Sequence, residues 1–156
     1  MEIGSGTKLP DISVTWPHQV SIGNNCRLEE NLIFKFDGIW KGGKGIQIGN
    51  QVFIGAHCEF NITESIIIGD KCLIASGCRF IDHNHGYDLN MLIGPNGSKS
   101  PIYIGYNVWI GCNSIILKGV TIADGAIVAA GSVVTKSIKA NEIWAGIPAK
   151  KIGERK

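Results

Sequence analysis

The segment Arg79–Asp88, RFIDHNHGYD, sets two of the chain's four histidines one residue apart, with aspartates on either side. An imidazole has an ordinary pKa of about 6.5, so it can take a proton from a hydroxyl or an amine and give it up again. A neighbouring carboxylate can hold such a ring in one orientation. Asp82, His83, Asn84, His85 and Asp88 thus form a candidate acid–base and acceptor-contacting cluster. Aspartates near tight turns also bond their own backbone, so Asp82 and Asp88 fit either role. A second polar stretch, KFDGIWKGGKG, offers Asp37, Trp40 and Lys41. Carboxylate plus aromatic suits a sugar, although many surface loops share that composition.

What positions these segments is a repeat of six residues. Aliphatic or Phe side chains fall at Ile22, Leu28, Phe34; Ile48, Ile54, Phe60; Ile68, Ile74, Phe80; Ile104, Ile110, Ile116; and Ile122, Val128, Val134. The next residue is usually Gly or Ala, and the residue four past each apolar one is compact, as at Cys26, Val52, Cys58, Cys72, Cys78, Ser114 and Ser132. Neither a 3.6 nor a 2.0 period explains this. Three hexads making one turn of a triangular prism do, with successive coils paired as parallel strands roughly 4.8 Å apart. The expected fold is all-β, a parallel β-helix of five coils in a single domain spanning 1–156, with Phe34, Phe60 and Phe80 stacked in its core. Glycine after each apolar residue is expected to ease a tight corner.

The departures from the repeat can be counted. Phe34 to Ile48 is fourteen residues instead of six, Phe60 to Ile68 has two extra residues, and Phe80 to Ile104 is twenty-four. Two loops, about 35–47 and 82–101, therefore leave a stiff scaffold, and the histidine pair sits where the longer one departs. Long loops on a rigid frame are where function concentrates.

Composition narrows the classes. A net charge of +2 with 18% charged residues gives no nucleic-acid-binding field. No apolar run approaches the ~18 residues of a spanning helix, nor does the start look like a signal peptide, so a cytoplasmic protein is expected. Of the five cysteines, four occupy the compact inward position, where a thiol acts as a small hydrophobe, and the fifth is Cys112. No disulfide or metal ligand set is expected. Lys150, Lys151, Arg155 and Lys156 gather at the C-terminus.

The stretch Pro101–Lys150, with NVWIG, GSVVTK and AGIPAK, resembles the hexapeptide-repeat acyltransferases, and most of all their galactoside, maltose and polysaccharide O-acetyltransferase branch. The resemblance covers about 22–152 and implies a left-handed coil, although crossovers are ordinarily right-handed. It further implies acetyl-CoA as co-substrate, no metal, a homotrimer with sites between copies, and transfer to a sugar hydroxyl in surface-polysaccharide assembly. The branch's catalytic histidine precedes the Trp of NVWIG by twenty-four residues, which from Trp109 gives His85. His83, Asp82, Asn84, Trp109, Asp37 and Trp40 are then expected toward the acceptor. By the same resemblance the backbone at Gly111, Cys112 and Ala130 would hold coenzyme A. Lys136 and Lys151 would meet its phosphates and Trp144 its adenine, packing being the equal alternative for Trp144.

Other readings remain. N-acetylation of a nucleotide-linked amino sugar is the main rival acceptor chemistry. Carbonic anhydrases occur on a similar prism with three zinc-binding histidines, but His57, His83 and His85 are spaced differently. The helical N-terminal segment of the galactoside and maltose enzymes is not expected here, since about twenty residues precede the first coil. His57 reads as structural or interfacial.

Overall fold

The computed structural model describes residues 1–37, 40, 42–88, 91–94 and 97–156, without the side chains of 87, 88 and 91–94. Lys41 and the side chain of Asp88 therefore lie outside the described residues. The chain winds as a left-handed parallel β-helix with three flat faces. The first face stacks Val20–Ile22, Ile46–Ile48, Ile66–Ile68, Ile102–Ile104 and Thr121–Ile122. The second stacks Arg27–Leu28, Phe53–Ile54, Leu73–Ile74, Trp109–Ile110 and Ile127–Val128, and the third Ile33–Phe36, Glu59–Ile62, Arg79–Ile81, Ile115–Leu117 and Val133–Val134.

The register follows the hexads. Ile22 pairs with Ile48, Ile48 with Ile68, Ile68 with Ile104 and Ile104 with Ile122. The column of the third face runs Phe34, Phe60, Phe80, Ile116, Val134. All fifteen repeat positions are buried, and their side chains make one continuous core. Phe34 meets Phe60 edge-on at 5.0 Å, and Phe60 stacks on Phe80 at 4.7 Å. Both are favourable aromatic geometries. Cys26, Cys58, Cys72 and Cys78 are buried free thiols, whereas Cys112 is exposed. Burial pushes the Cys72 thiol up to about 11.

Two expectations are corrected. The prism begins before Ile22: Glu2–Ile3 extends the first face and Ser13–Val14 the third. This partial coil escaped the repeat because Ile3 stays half exposed and no regular hexad spacing links it to Val14. The glycines that follow the apolar residues are also not the strained corner positions. The left-handed backbone lies two residues further on, at Asn25, Gln51, His57, Lys71, Asn107 and Asn113. The glycines serve close approach instead. A Cβ on Gly111 would sit 2.5 Å from the Ala130 nitrogen, and one on Gly23 2.5 Å from the Gly49 carbonyl oxygen. Coils about 4.8 Å apart leave no room for it. His57, at φ 61°, is an exposed corner residue.

Each coil turns three edges. The first edge is laced by side-chain amides and carboxylates: Asn24 N–H donates to Asn50 Oδ1 at 2.8 Å and Asn50 N–H to Asp70 Oδ1 at 2.7 Å. The second edge joins the second face to the third through Gly111–Asn113 and Ala129–Gly131. The third edge joins the third face to the first and carries both loops. Glu142–Gly146 and Ala149–Glu154 close the far end as an antiparallel hairpin. Among the described residues no helix is long and apolar enough to cross a membrane.

Candidate active site

The third edge owes its chemistry to the irregularities in the repeat. The two residues added between Phe60 and Ile68 form a turn whose amides face Asp82. Thr63 N–H donates to Asp82 Oδ1 at 2.8 Å and Glu64 N–H to Oδ2 at 2.6 Å, with the Thr63 hydroxyl at 3.2 Å. His83 Nδ1 adds a fourth contact at 3.0 Å. Asp82 is fully buried, which a carboxylate tolerates only with this many donors. Asp82 therefore cannot touch an acceptor, a correction to the sequence reading; it orients His83. Its neighbours Thr63 and Glu64 were missed because the two-residue insertion carried no hint of what its amides would face.

His83 has a side chain only 10% exposed, with Nε2 3.7 Å from Asp37 Oδ2 on the first insertion. Asp37 also receives Lys35 Nζ at 2.9 Å. The His83 and His85 rings lie edge to face, 6.0 Å apart and 87° between planes. His85 itself is exposed. Thus His83 lies between two carboxylates, held by Asp82 and 3.7 Å from Asp37, and His85 is the ring presented outward.

The loop that carries them closes as a hairpin. Asn84 N–H donates to Ser98 O at 3.0 Å, Ser98 N–H donates to Asn84 Oδ1 at 3.0 Å, and Ser100 N–H donates to Asp82 O at 2.9 Å. Asn84 is exposed, but its side-chain oxygen is committed to Ser98, so only its amide NH₂ is left for an acceptor. Gly97 lets the arms approach: a Cβ there would collide with Asn84 O and lie 3.4 Å from His85 Cα. Gly86–Asp88 and Met91–Gly94 continue the loop as a two-stranded ribbon.

Most of the residues expected at coenzyme A do not share this edge. Gly111, Cys112 and Ala130 lie together on the second edge, where Gly131 N–H donates to Cys112 O at 2.8 Å. Cys112 and Ala130 are exposed, and Trp109 beside them is 50% exposed on the second face. An open cavity of about 450 Å³ along Trp109 is walled by Lys71, Leu73, Ile127 and Arg155. Lys136 is exposed on the third edge, above the histidine loop. Trp144 packs against the core and donates Nε1–H to Glu142 Oε2 at 2.9 Å, which fits packing better than adenine stacking. Lys151 lies 3.2 Å from Glu142 and 2.6 Å from Glu154, so it pairs with carboxylates of the terminal hairpin. The Trp144 indole N–H and the Lys139 amide hold the Glu142 carboxyl below its usual range. Trp40 is exposed and meets His18, a neighbour that nothing in the spacing foretold. Among the described residues no three His, Cys, Asp or Glu side chains converge as a metal site.

Comparison with known proteins agrees with this architecture. The family "Bacterial transferase hexapeptide (six repeats)" matches residues 101–136, and "Hexapeptide repeat of succinyl-transferase" matches 45–78. An Escherichia coli dTDP-4-amino-4,6-dideoxy-D-glucose acyltransferase is 31% identical over 98% of this chain and 81% of its own length. The chain belongs to the hexapeptide-repeat acyltransferases. Galactoside O-acetyltransferase of Escherichia coli K12 is 33% identical over 86% of the chain, which spans only 63% of that relative's length. The solved structure of AntD, a Bacillus cereus N-acyltransferase in complex with dTDP and 3-hydroxybutyryl-CoA, superposes with a TM-score of 0.87 at 28% identity, covering 98% of this chain and 82% of that one. A Clostridium difficile maltose O-acetyltransferase gives 0.71 at 31% identity, covering 84% and 67%. In this hexapeptide-repeat protein the histidine loop falls between the two matched repeat ranges, where the hexad spacing is interrupted.

Proposed function

We propose that the chain transfers an acetyl group from acetyl-CoA to a sugar, with His85 as the general base. The observation that carries this reading is the division of labour between edges. An exposed imidazole, braced by the buried Asp82–His83 contact, occupies the third edge, and an open backbone shelf at Gly111, Cys112 and Ala130 occupies the second. One chain cannot bring these together, because the edges lie on different sides of the prism. Two copies set side by side can, with the loop of one facing the shelf of the next. A cyclic trimer gives three such grooves, and Lys136 then stands on the same side of the groove as His85.

In this scheme the acceptor gives its proton to the His85 imidazole as its oxygen or nitrogen attacks the thioester carbonyl. Backbone N–H at Cys112 meets the oxygen that becomes negative. The carbon–sulfur bond then breaks, and the imidazolium returns the proton to the departing thiolate. The reaction draws on a CoA pool, in keeping with a cytoplasmic site of action.

Two acceptor groups fit. The hydroxyl reading, within surface-polysaccharide assembly, is supported by the galactoside relative. It also has support from a lipopolysaccharide-biosynthesis O-acetyltransferase of Escherichia coli K12, 37% identical over 69% of this chain. The amine reading is supported by relatives that match nearly the whole chain, N-terminal partial coil included. Purified protein with acetyl-CoA, tested against sugars, nucleotide sugars and their amino derivatives, separates them. Mass spectrometry of the product should show a hydroxylamine-labile ester or a stable amide. His85→Ala should lower turnover at least ~10²-fold with acetyl-CoA affinity unchanged. Wild-type turnover in that variant contradicts the assignment.

A further inference from the structure

Four rings climb out of the core on the third edge. Phe36 is buried; Trp16 stacks on it at 6.1 Å and 17°; His18 follows Trp16 at 6.4 Å and 32°; and Trp40 meets His18 at 5.3 Å and 31°. The row ends in a tryptophan left 66% exposed. Trp16 and His18 come from the turn before the first complete coil, and Phe36 and Trp40 from the first insertion some way along the chain. The partial N-terminal coil is what brings them together. Three residues before Trp40 stands Asp37, whose carboxylate lies 3.7 Å from His83 Nε2. Platform and histidine loop therefore share one edge. A cation stands at the platform as well: Lys44 Nζ is 3.2 Å from His18 O and 2.7 Å from a Glu2 carboxylate oxygen.

We infer that Trp40 and His18 form a stacking platform for the base of a nucleotide that carries the acceptor sugar, with Lys44 beside its phosphates. A tryptophan ring tilted 31° against His18, with the row resting through Trp16 on a buried Phe, presents a pre-set π face, and stacking on such a face tolerates any base. A free sugar could lie on one tryptophan but has no use for a cation next to it; a nucleoside diphosphate uses both. The inference rests on the reading of a sugar acceptor and narrows it to a nucleotide-activated one.

The test is binding without turnover. Tryptophan fluorescence and calorimetry follow titration of the full chain with dTDP, with UDP and with free monosaccharides, in the absence of acetyl-CoA. The diphosphates should bind and the free monosaccharides should not. Trp40→Ala should weaken dTDP or UDP at least about tenfold, as loss of one stacked base does. The melting temperature should hold, since Trp40 packs little. Lys44→Ala should weaken the diphosphate more than the bare nucleoside. Equal binding of monosaccharide and diphosphate, or unchanged affinity in Trp40→Ala, overturns the inference. So does a loss of oligomer in place of a loss of affinity. Nucleotide binding by a protein inert toward acetyl-CoA would uphold the platform while refuting the transfer reaction, so the two failures are distinguishable.

Discussion

Between Gly111 and Ala130, on the second edge, the chain passes from coil to coil without a spare residue; on the third it inserts eight residues after Phe34, two after Phe60 and eighteen after Phe80. Both edges close the same prism with the same hexads. The second offers backbone, because glycine at 111 lets one coil rest on the next and leaves Cys112 and Ala130 exposed. The third offers side chains, because its extra residues carry a histidine pair away from the wall and leave His85 exposed. A repeat supplies a rail, and interruptions supply reagents. An enzyme that must line a long thioester up against a variable acceptor has reason to keep one edge regular and the other not.

That contrast can be broken at several strengths. The largest effect is expected in the core both edges depend on. Phe60→Ala, between two aromatic neighbours, should cost about 3–5 kcal/mol, read as a lowered urea midpoint. An unchanged midpoint would mean the Phe column does not bear on the prism. Next comes the support beneath the loop. Asp82→Asn replaces an acceptor that meets three donors and His83, and should cost about 1–3 kcal/mol. Because Asp82 acts through His83, it should also lower turnover and alter the pH–rate profile while the KM for acetyl-CoA stays put. A loss of stability with an unaltered profile would make Asp82 merely structural.

The regular edge has its own, milder probe. A thiol reagent should modify Cys112 alone in the folded protein, since the other four thiols are buried, and acetyl-CoA should protect it. Rapid labelling of several thiols, or labelling indifferent to acetyl-CoA, would count against the shelf. Cys112→Ala should remain active, because the backbone amide is what serves there. The smallest effect belongs to the first edge. The Asn50 N–H and side-chain amide hold the Asp70 carboxyl below the ordinary carboxylate range. A depressed folded value means the contribution is present at pH above about 4 and is lost as pH falls further. Asp70→Asn should therefore melt slightly lower than the parent at pH 7 and match it in strong acid. A gap that widens with acid would reverse the sign.

Much of this was legible in the sequence, and what was not has a common cause. Fifteen inward positions repeat every six residues, so the core, the faces and the Phe column could be written down from spacing alone. The same count located all three insertions, and it identified Cys112 as the thiol off the column. Hidden were contacts made between residues far apart in the chain where no repeat applies. Asp82 finds its donors on Thr63 and Glu64, Asp37 reaches His83, and Trp16 and His18 meet Phe36 and Trp40. Glycine was assigned to the right positions for the wrong reason, because spacing marks that a small residue is wanted but not whether a dihedral or a neighbouring coil demands it. Charge alone marked Lys151, and it does not reveal that the carboxylate partner Glu142 stands on the opposite arm of a hairpin.

The central claim is that a site exists only where the third edge of one copy faces the second edge of another. Co-expression of His85→Ala with Ala130→Trp, each on a differently tagged chain, tests it most directly. Either variant alone should be inactive, one for want of a base and the other because a bulky ring blocks the exposed shelf. Every mixed trimer purified through both tags holds one groove where an intact loop faces an intact shelf, so CoA release should recover to about a third of the parent's rate. Mixed oligomers that release no CoA would contradict it.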